Sequence, residues 1–247
     1  MTSFTLDSTP NDFKEYLKAN DITRLILYYD VKTSSIKISH QEKLSPITDY
    51  FSEHPDWQDH EGCFIEIGKR SGALMGAFVW RTNRGQGCGG VRFRNYQNIA
   101  EYFRDGLRLS LGMGQKNACA GLWSGGGKGA VHAPDRSEVE NYDEWKRNMC
   151  LDYGDLLSSI NGCYVTAEDM GMNVSDLDII HSRSRFTTCI SNEIGGSGNP
   201  SVPTARGIFT AIGAVLDWMQ MGDVEGKSFA VQGAGNVASP LRYRVKF

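Results

Sequence analysis

Leu109-Ser-Leu-Gly-Met-Gly-Gln-Lys116-Asn-Ala-Cys-Ala-Gly-Leu-Trp-Ser-Gly125-Gly-Gly-Lys128-Gly-Ala130 joins a helical pattern to a cluster of glycines around one lysine. The pattern begins upstream: Ile99, Tyr102, Phe103, Leu107, Leu109 and Met113 recur mainly at three- and four-residue steps, which predicts a helix over about 98–112 leading towards Lys116. The glycines at 125–129 read as a loop. A phosphate-cradling loop would need a glycine at 122 and Ser or Thr at 129, where Leu122 and Gly129 stand, so that reading fails at both ends. What remains is a lysine with almost no side chains beside it, where backbone can approach a small bound molecule. Burial would lower its pKa and suit it to acid–base work, whereas an exposed lysine in a flexible turn is the plain alternative.

Working outward, a short helix is predicted over 11–20, and strands at Arg24–Tyr29 and Ser35–Ser39 can pair as a hairpin across Lys32-Thr33-Ser34. Cys63–Ile67 and Ala73–Trp80 read as two further strands, followed by a loop from Arg81 to Gly90. Trp145, Met149, Tyr153, Leu156 and Leu157 mark a helix, and Tyr164–Thr166 a short strand. The alternation points to an α/β or α+β domain, of which α/β is the expectation. A last long helix can start at Pro203 and run to Met219. Ser228–Gln232 then reads as a strand entering Gly233-Ala-Gly235-Asn-Val-Ala238, a glycine turn of the dinucleotide-binding type. Gly85-Gln-Gly87-Cys-Gly-Gly90 has the same spacing, but four residues, Arg81 to Arg84, separate it from its strand. The expected divisions are an N-terminal extension over 1–62 packed on the next domain, a binding and catalytic domain over 63–222, and the start of an incomplete Rossmann domain over 223–247.

Composition narrows the classes of function. The 247 residues are 40% hydrophobic and 22% charged with a net charge of −3, as in ordinary globular proteins. No cluster of Lys and Arg could follow a phosphate backbone, so nucleic acid is not an expected partner. No run of 18 apolar residues exists and the first residues lack the order of a signal peptide, so the expectation is a cytoplasmic protein without membrane contact. The six cysteines show no C-x-x-C pair and fit free thiols. Asn173-Val-Ser175 matches a glycosylation acceptor only formally. His54, Asp56, Asp59 and His60 imitate a metal cluster but read as solvated loop residues, and no metal is expected.

Four stretches taken together carry a resemblance. They are Leu109–Ala130; Thr166-Ala-Glu-Asp169-Met-Gly with Asp176-Leu-Asp-Ile-Ile-His181; Gly196-Ser-Gly-Asn-Pro200 leading to Thr204-Ala-Arg-Gly207; and Gly226–Ala238. In order and spacing the chain resembles the glutamate/leucine/phenylalanine/valine dehydrogenase family, leucine and phenylalanine branch, from about Cys63 to Ala238. The resemblance implies oxidative deamination of an apolar L-amino acid to a 2-oxo acid and ammonium, with NAD or NADP as cofactor, in a homo-oligomer. It implies that Lys116 binds the substrate carboxylate, that Lys128 polarises the substrate and helps activate water, and that Asp169 passes protons. For Asp169 the alternative is a helix cap before Met170–Asp178. Gly89, Gly90, Met113 and Thr188 would line the substrate, and Thr204, Gly233, Gly235, Asn236 and Val237 the cofactor.

The chain also departs from that pattern. Cys88 stands where leucine-type enzymes carry a larger aliphatic residue, and Arg206 where an aromatic is usual. Only nine residues follow Ala238, and Ser239-Pro240 is expected to interrupt the helix after the glycine turn. A dinucleotide fold needs several more βα units. A non-catalytic, truncated family member with weak substrate binding or oligomer contacts is therefore the second expectation.

Overall fold

The computed structural model describes residues 4–244. By contact density the chain divides into two compact units, Met1–Gly196 and Ser197–Phe247, so the boundary lies before the last long helix rather than at 222/223.

The first unit is built on a seven-stranded mixed sheet. Its strands are β1 (Arg24–Asp30), β2 (Ser35–Ile38), β3 (Gly62–Ile67), β4 (Leu74–Arg81), β5 (Gly87–Arg94), β6 (Gly125–His132) and β7 (Tyr164–Glu168), in the spatial order β2-β1-β3-β4-β6-β5-β7. The hairpin β1–β2 forms as the pattern predicts, with Leu27 opposite Ile38. Residues 1–62 are not an appendage, because β1 pairs with β3 and continues the sheet. β5 runs parallel to both β6 and β7, and the remaining pairs are antiparallel.

Helices cover both faces. α1 (Pro10–Ala19), α2 (Gln41–Phe51) and α3 (Ile99–Cys119) bury Phe13, Leu17, Leu44, Ile47, Phe51, Phe103 and Leu107 against Leu25, Ile65 and Phe78. α4 (Tyr142–Ser159) and α5 (Val174–His181) bury Met149, Tyr153, Leu157 and Ile180 against Met75, Val79, Val91 and Val131. β4 feeds both layers by simple alternation, which is why its sequence reads as an unbroken apolar run. α2 escapes the sequence pattern because it carries Pro46 inside its span.

Three expectations around the site change. The glycine loop at 125–129 is the first half of β6, a central strand buried along its whole length. Gly89 and Gly90 belong to β5 rather than to a turn. α3 continues through Cys119, so Met113 and Lys116 lie on the helix itself. Propensity misleads at β6 because glycine is poor in strands when packing is ignored. Packing here excludes anything larger: a Cβ on Gly126 would run into the backbone oxygen of Ser110 on α3, and one on Gly127 would sit 2.5 Å from the Tyr164 ring.

In the second unit, α6 (Ser201–Trp218) starts two residues before Pro203, and it packs on α7 (Ala238–Arg244). The strand expected at Ser228–Gln232 does not form, since no other strand among the described residues of this unit offers its backbone a partner. Ser239-Pro240 does not interrupt the helix either. Pro240 occupies the first turn of α7, where a backbone N–H has no intrahelical acceptor to lose. The expected turn at 233–238 leads into α7, and the last three residues of the tail, 245–247, lie outside the described residues.

Because α3 rests on bare backbone at β6, Gly126→Ala should push helix and strand apart. We expect a loss of about 1–3 kcal/mol, the usual cost of overpacking, read as a lowered midpoint in urea or thermal denaturation.

Candidate active site

Alternation along β6 puts Gly126, Lys128 and Ala130 on one face of the sheet. Gly126 abuts Ser110 and Gly114 of α3, and Ala130 joins the core under the same helix, so Lys128 leaves the sheet on the α3 side. Its side chain is only 6% exposed and its ammonium donates to Asp169 Oδ2 at 2.6 Å. Asp169 is the first residue beyond β7, level with Arg92 within β5. The helix-cap alternative for Asp169 is excluded by geometry: α5 is capped by Asn173 through a reciprocal capping box with Asp176.

The two glycines of β5 bring the pieces together. Regular pairing between β5 and β6 is interrupted between Cys88 and Val91, at Gly89 and Gly90. A Cβ on Gly90 would lie 2.8 Å from Cβ of Asp169, and one on Gly89 would lie 2.9 Å from Cγ of Met113. Only glycine lets α3, β5 and the end of β7 close to this distance. The Tyr164 hydroxyl donates to the Gly89 carbonyl at 2.6 Å and holds the strand from the other side.

Thr188 is coupled to the same line across the sheet. Its N–H and its hydroxyl both donate to the Thr166 carbonyl, at 2.8 and 3.0 Å, and Thr166 pairs with Gly89. Lys116 is placed differently. It lies in the last turn of α3, one turn beyond Met113, exposed, and among the described residues its ammonium has no ion-pair partner. Its charge suits the negative end of the helix dipole. The structure therefore bonds Lys128 to Asp169, sets Gly89 against Met113 and Gly90 against Asp169, and leaves Lys116 unbonded to the pair.

Arg92 was not among the residues singled out in the sequence. Its Nε donates to Asp169 Oδ2 at 3.2 Å and its Nη1 to both oxygens of Asp105 on α3, at 3.0 and 3.2 Å. The signal was present as the alternation Val91-Arg92-Phe93-Arg94, but reading 81–90 as a loop hid the strand that carries it.

Burial lowers the pKa of Lys128, with the Asp169 charge pulling the other way. Burial also pushes the Asp169 carboxyl up, but the ammonium of Lys128 and the guanidinium of Arg92 outweigh it and hold the group below its ordinary value. Asp169 therefore stays ionised beside a lysine that releases its proton more readily than a free one.

The remaining expected residues belong to the second unit. Thr204 is exposed in the first turn of α6 with its hydroxyl on the Pro200 carbonyl at 2.7 Å. Gly233, Gly235 and Asn236 are exposed and Val237 is half-buried, Gly233 with φ of +88°. The apparent metal cluster is committed to other contacts. His60 is fully buried with its ring at 3.0 Å from the Leu107 carbonyl, which corrects its reading as a solvated residue, and Asp56 pairs with Arg104 at 2.8 Å. Burial depresses the His60 imidazole to about 4.

Comparison with known proteins identifies relatives of the chain. Residues 72–185 match the dimerisation domain of the Glu/Leu/Phe/Val dehydrogenases. The chain is 38% identical over 184 residues to leucine dehydrogenase of Geobacillus stearothermophilus, covering 74% of this chain and 48% of that protein. It is 37% identical over 190 residues to valine dehydrogenase of Streptomyces virginiae, covering 76% and 51%. The crystal structure of L-tryptophan dehydrogenase from Nostoc punctiforme superposes with a TM-score of 0.54 at 27% identity, over 75% of this chain and 50% of that one. The chain thus spans about half the length of the curated relatives it matches.

The depressed carboxyl of Asp169 sets a pH dependence. Its pairing contributes stability that is present above the ordinary aspartate pKa of about 3.9 and is lost as pH falls through the lower folded value. Asp169→Asn should cost about 1–3 kcal/mol at neutral pH by leaving Lys128 without its counter-charge. The difference from the parent chain should close in strongly acidic solution, which denaturation at a series of pH values will read.

Proposed function

The chain belongs to the Glu/Leu/Phe/Val dehydrogenase family, whose dimerisation domain it carries at residues 72–185, and from that premise we propose that it supplies the substrate-binding and acid–base half of an amino-acid dehydrogenase. The reaction is the oxidative deamination of an apolar L-amino acid, with water and NAD or NADP, to a 2-oxo acid and ammonium. The observation that carries this reading is the buried Lys128–Asp169 pair closed over two glycines.

The roles follow from charge and proton affinity. Lys116, exposed and unpaired at a helix end, binds the substrate carboxylate as a point charge. Lys128, lowered by burial, gives a proton to the developing oxygen at the substrate carbon and takes one from the attacking water. Asp169, kept anionic by its two cationic neighbours, accepts a proton from the substrate amine and returns it to the leaving ammonia. Gly89 and Gly90 offer backbone to the substrate, and Met113 and Thr188 form walls beside it.

For the cofactor the chain has a glycine turn with room at it: a Cβ at Gly233 or Gly235 would meet nothing within 4 Å, so a pyrophosphate can approach the backbone. Gly233, Gly235, Asn236 and Val237 would hold the pyrophosphate side and Thr204 the nicotinamide side of NAD or NADP, which when bound accepts the hydride. Association into a homo-oligomer accompanies this reading, supported by the dimerisation-domain match.

Binding is the direct test. Titration of the chain with an apolar L-amino acid and with its 2-oxo acid should give saturable binding, and Lys116→Ala should weaken it by about 10- to 100-fold, as for the loss of one charged hydrogen bond. In a full-length form with a complete nucleotide-binding half, Lys128→Ala should lower amino-acid-dependent NADH or NADPH production by about 10²- to 10⁴-fold, far more than Lys227→Ala. Absence of binding by the parent chain overturns the reading.

A further inference from the structure

We propose that Arg92 is the positioning residue of this site: tethered to Asp105, its guanidinium shares one oxygen of Asp169 with Lys128 and so leaves the other oxygen to the substrate. The inference rests on the reading of Lys128 and Asp169 as the acid–base pair. The contacts form one chain across four elements. The Tyr96 hydroxyl donates to Asp105 Oδ2 at 2.9 Å, Nη1 of Arg92 donates to both Asp105 oxygens, and Nε of Arg92 and Nζ of Lys128 both donate to Oδ2 of Asp169. Among the described residues no side chain donates to Oδ1 of Asp169, and the backbone N–H of Met170 also faces the carboxylate. Two cations face two carboxylates, so the group is neutral as a whole and can remain largely buried.

The arrangement has a chemical consequence. A carboxylate held by one partner can rotate and present either oxygen. One held on a single oxygen by two donors from different strands has its second oxygen fixed in direction, which is what a proton carrier to a bound amine requires. Arginine suits this task because its planar fork spans two carboxylates at once, whereas an ammonium is a single point. Asp105 also lies on α3, the helix that carries Met113 and Lys116, so the clamp ties the direction of Asp169 to the element that would hold the rest of the substrate. Arg92 itself needs no contact with substrate.

The charges give a test of the contacts on which the proposal rests, and the split between kcat and KM in Arg92→Lys separates positioning from a purely structural ion pair. The titration of Lys128 can be followed by NMR of the lysine side-chain carbons in the 247-residue chain, with the signal assigned by its loss in Lys128→Met. Arg92→Gln removes a positive charge from beside the pair and should move the Lys128 midpoint up by about one pH unit, the low end of what an adjacent charge does. Asp105→Asn removes a negative charge while keeping the shape, and should move the midpoint down. Arg92→Lys keeps the charge but loses the fork, so the midpoint should stay near that of the parent chain while kcat falls and KM holds in any form that turns over. Midpoints that do not move in opposite directions in Arg92→Gln and Asp105→Asn overturn the proposal. Should Arg92→Gln fail to fold, the direction in Asp105→Asn decides alone. The titration is independent of amino-acid binding, so a parent chain that binds no amino acid would count against the dehydrogenase reading and leave the Arg92 result to stand or fall by itself.

Discussion

An ammonium group buried on a central strand demands a counter-charge within bonding distance, and the pairing of Lys128 with Asp169 is the contact on which the site depends. An unpaired charge there would be expelled as a neutral amine or would open the sheet to water. Meeting that demand dictates where β7 must end, since Asp169 has to turn off the strand at the level of Lys128. It also dictates where β5 must lack side chains, since Gly90 stands between the two. Parallel pairing of β5 with both β6 and β7 sets these residues side by side across the sheet.

Close approach is obtained by removing side chains rather than by adding interactions. The run Gly125-Gly126-Gly127 lets α3 lie on bare backbone, and Gly114 of the helix answers Gly126 of the strand. Glycine in a strand carries an entropic cost relative to alanine, which the surrounding layers must offset. The two apolar cores above and below the sheet, with Phe78, Phe103, Tyr153 and Leu157 fully buried, supply that compensation. A tightly packed sheet around a polar pair is also a site with little freedom to reorganise, and preorganised charge is what acid–base chemistry draws on.

α3 acts as the ruler of the site. Asp105, Met113 and Lys116 lie along it, the first two half-buried and Lys116 exposed. One helix therefore sets the distance between the Arg92 anchor, the wall beside Gly89 and the exposed ammonium proposed for the substrate carboxylate. Helix and strand are joined in sequence only by the short link 120–124, so any shift of α3 moves the whole set together.

Much of this was legible in the sequence, and the failures have a common cause. Period and composition pointed to the α/β class, the hairpin and the helices α1, α3, α4 and α6, and four motifs in order pointed to the family. Local pattern could not show that Gly125–Gly129 is a strand, because glycine has no pattern of its own and only the collision of a Cβ with Ser110 or Tyr164 reveals why it is there. The same masking hid β5 and with it Arg92, whose meaning comes from Asp105 and Asp169, 13 and 77 residues away in sequence. The strand expected at Ser228–Gln232 failed in the opposite sense, its pattern being correct but its backbone having no partner. Sequence determines which residues can carry charge and where helices and strands are permitted. Which charges share an oxygen, and which glycines are strand rather than loop, is decided only when distant segments compete for the same space.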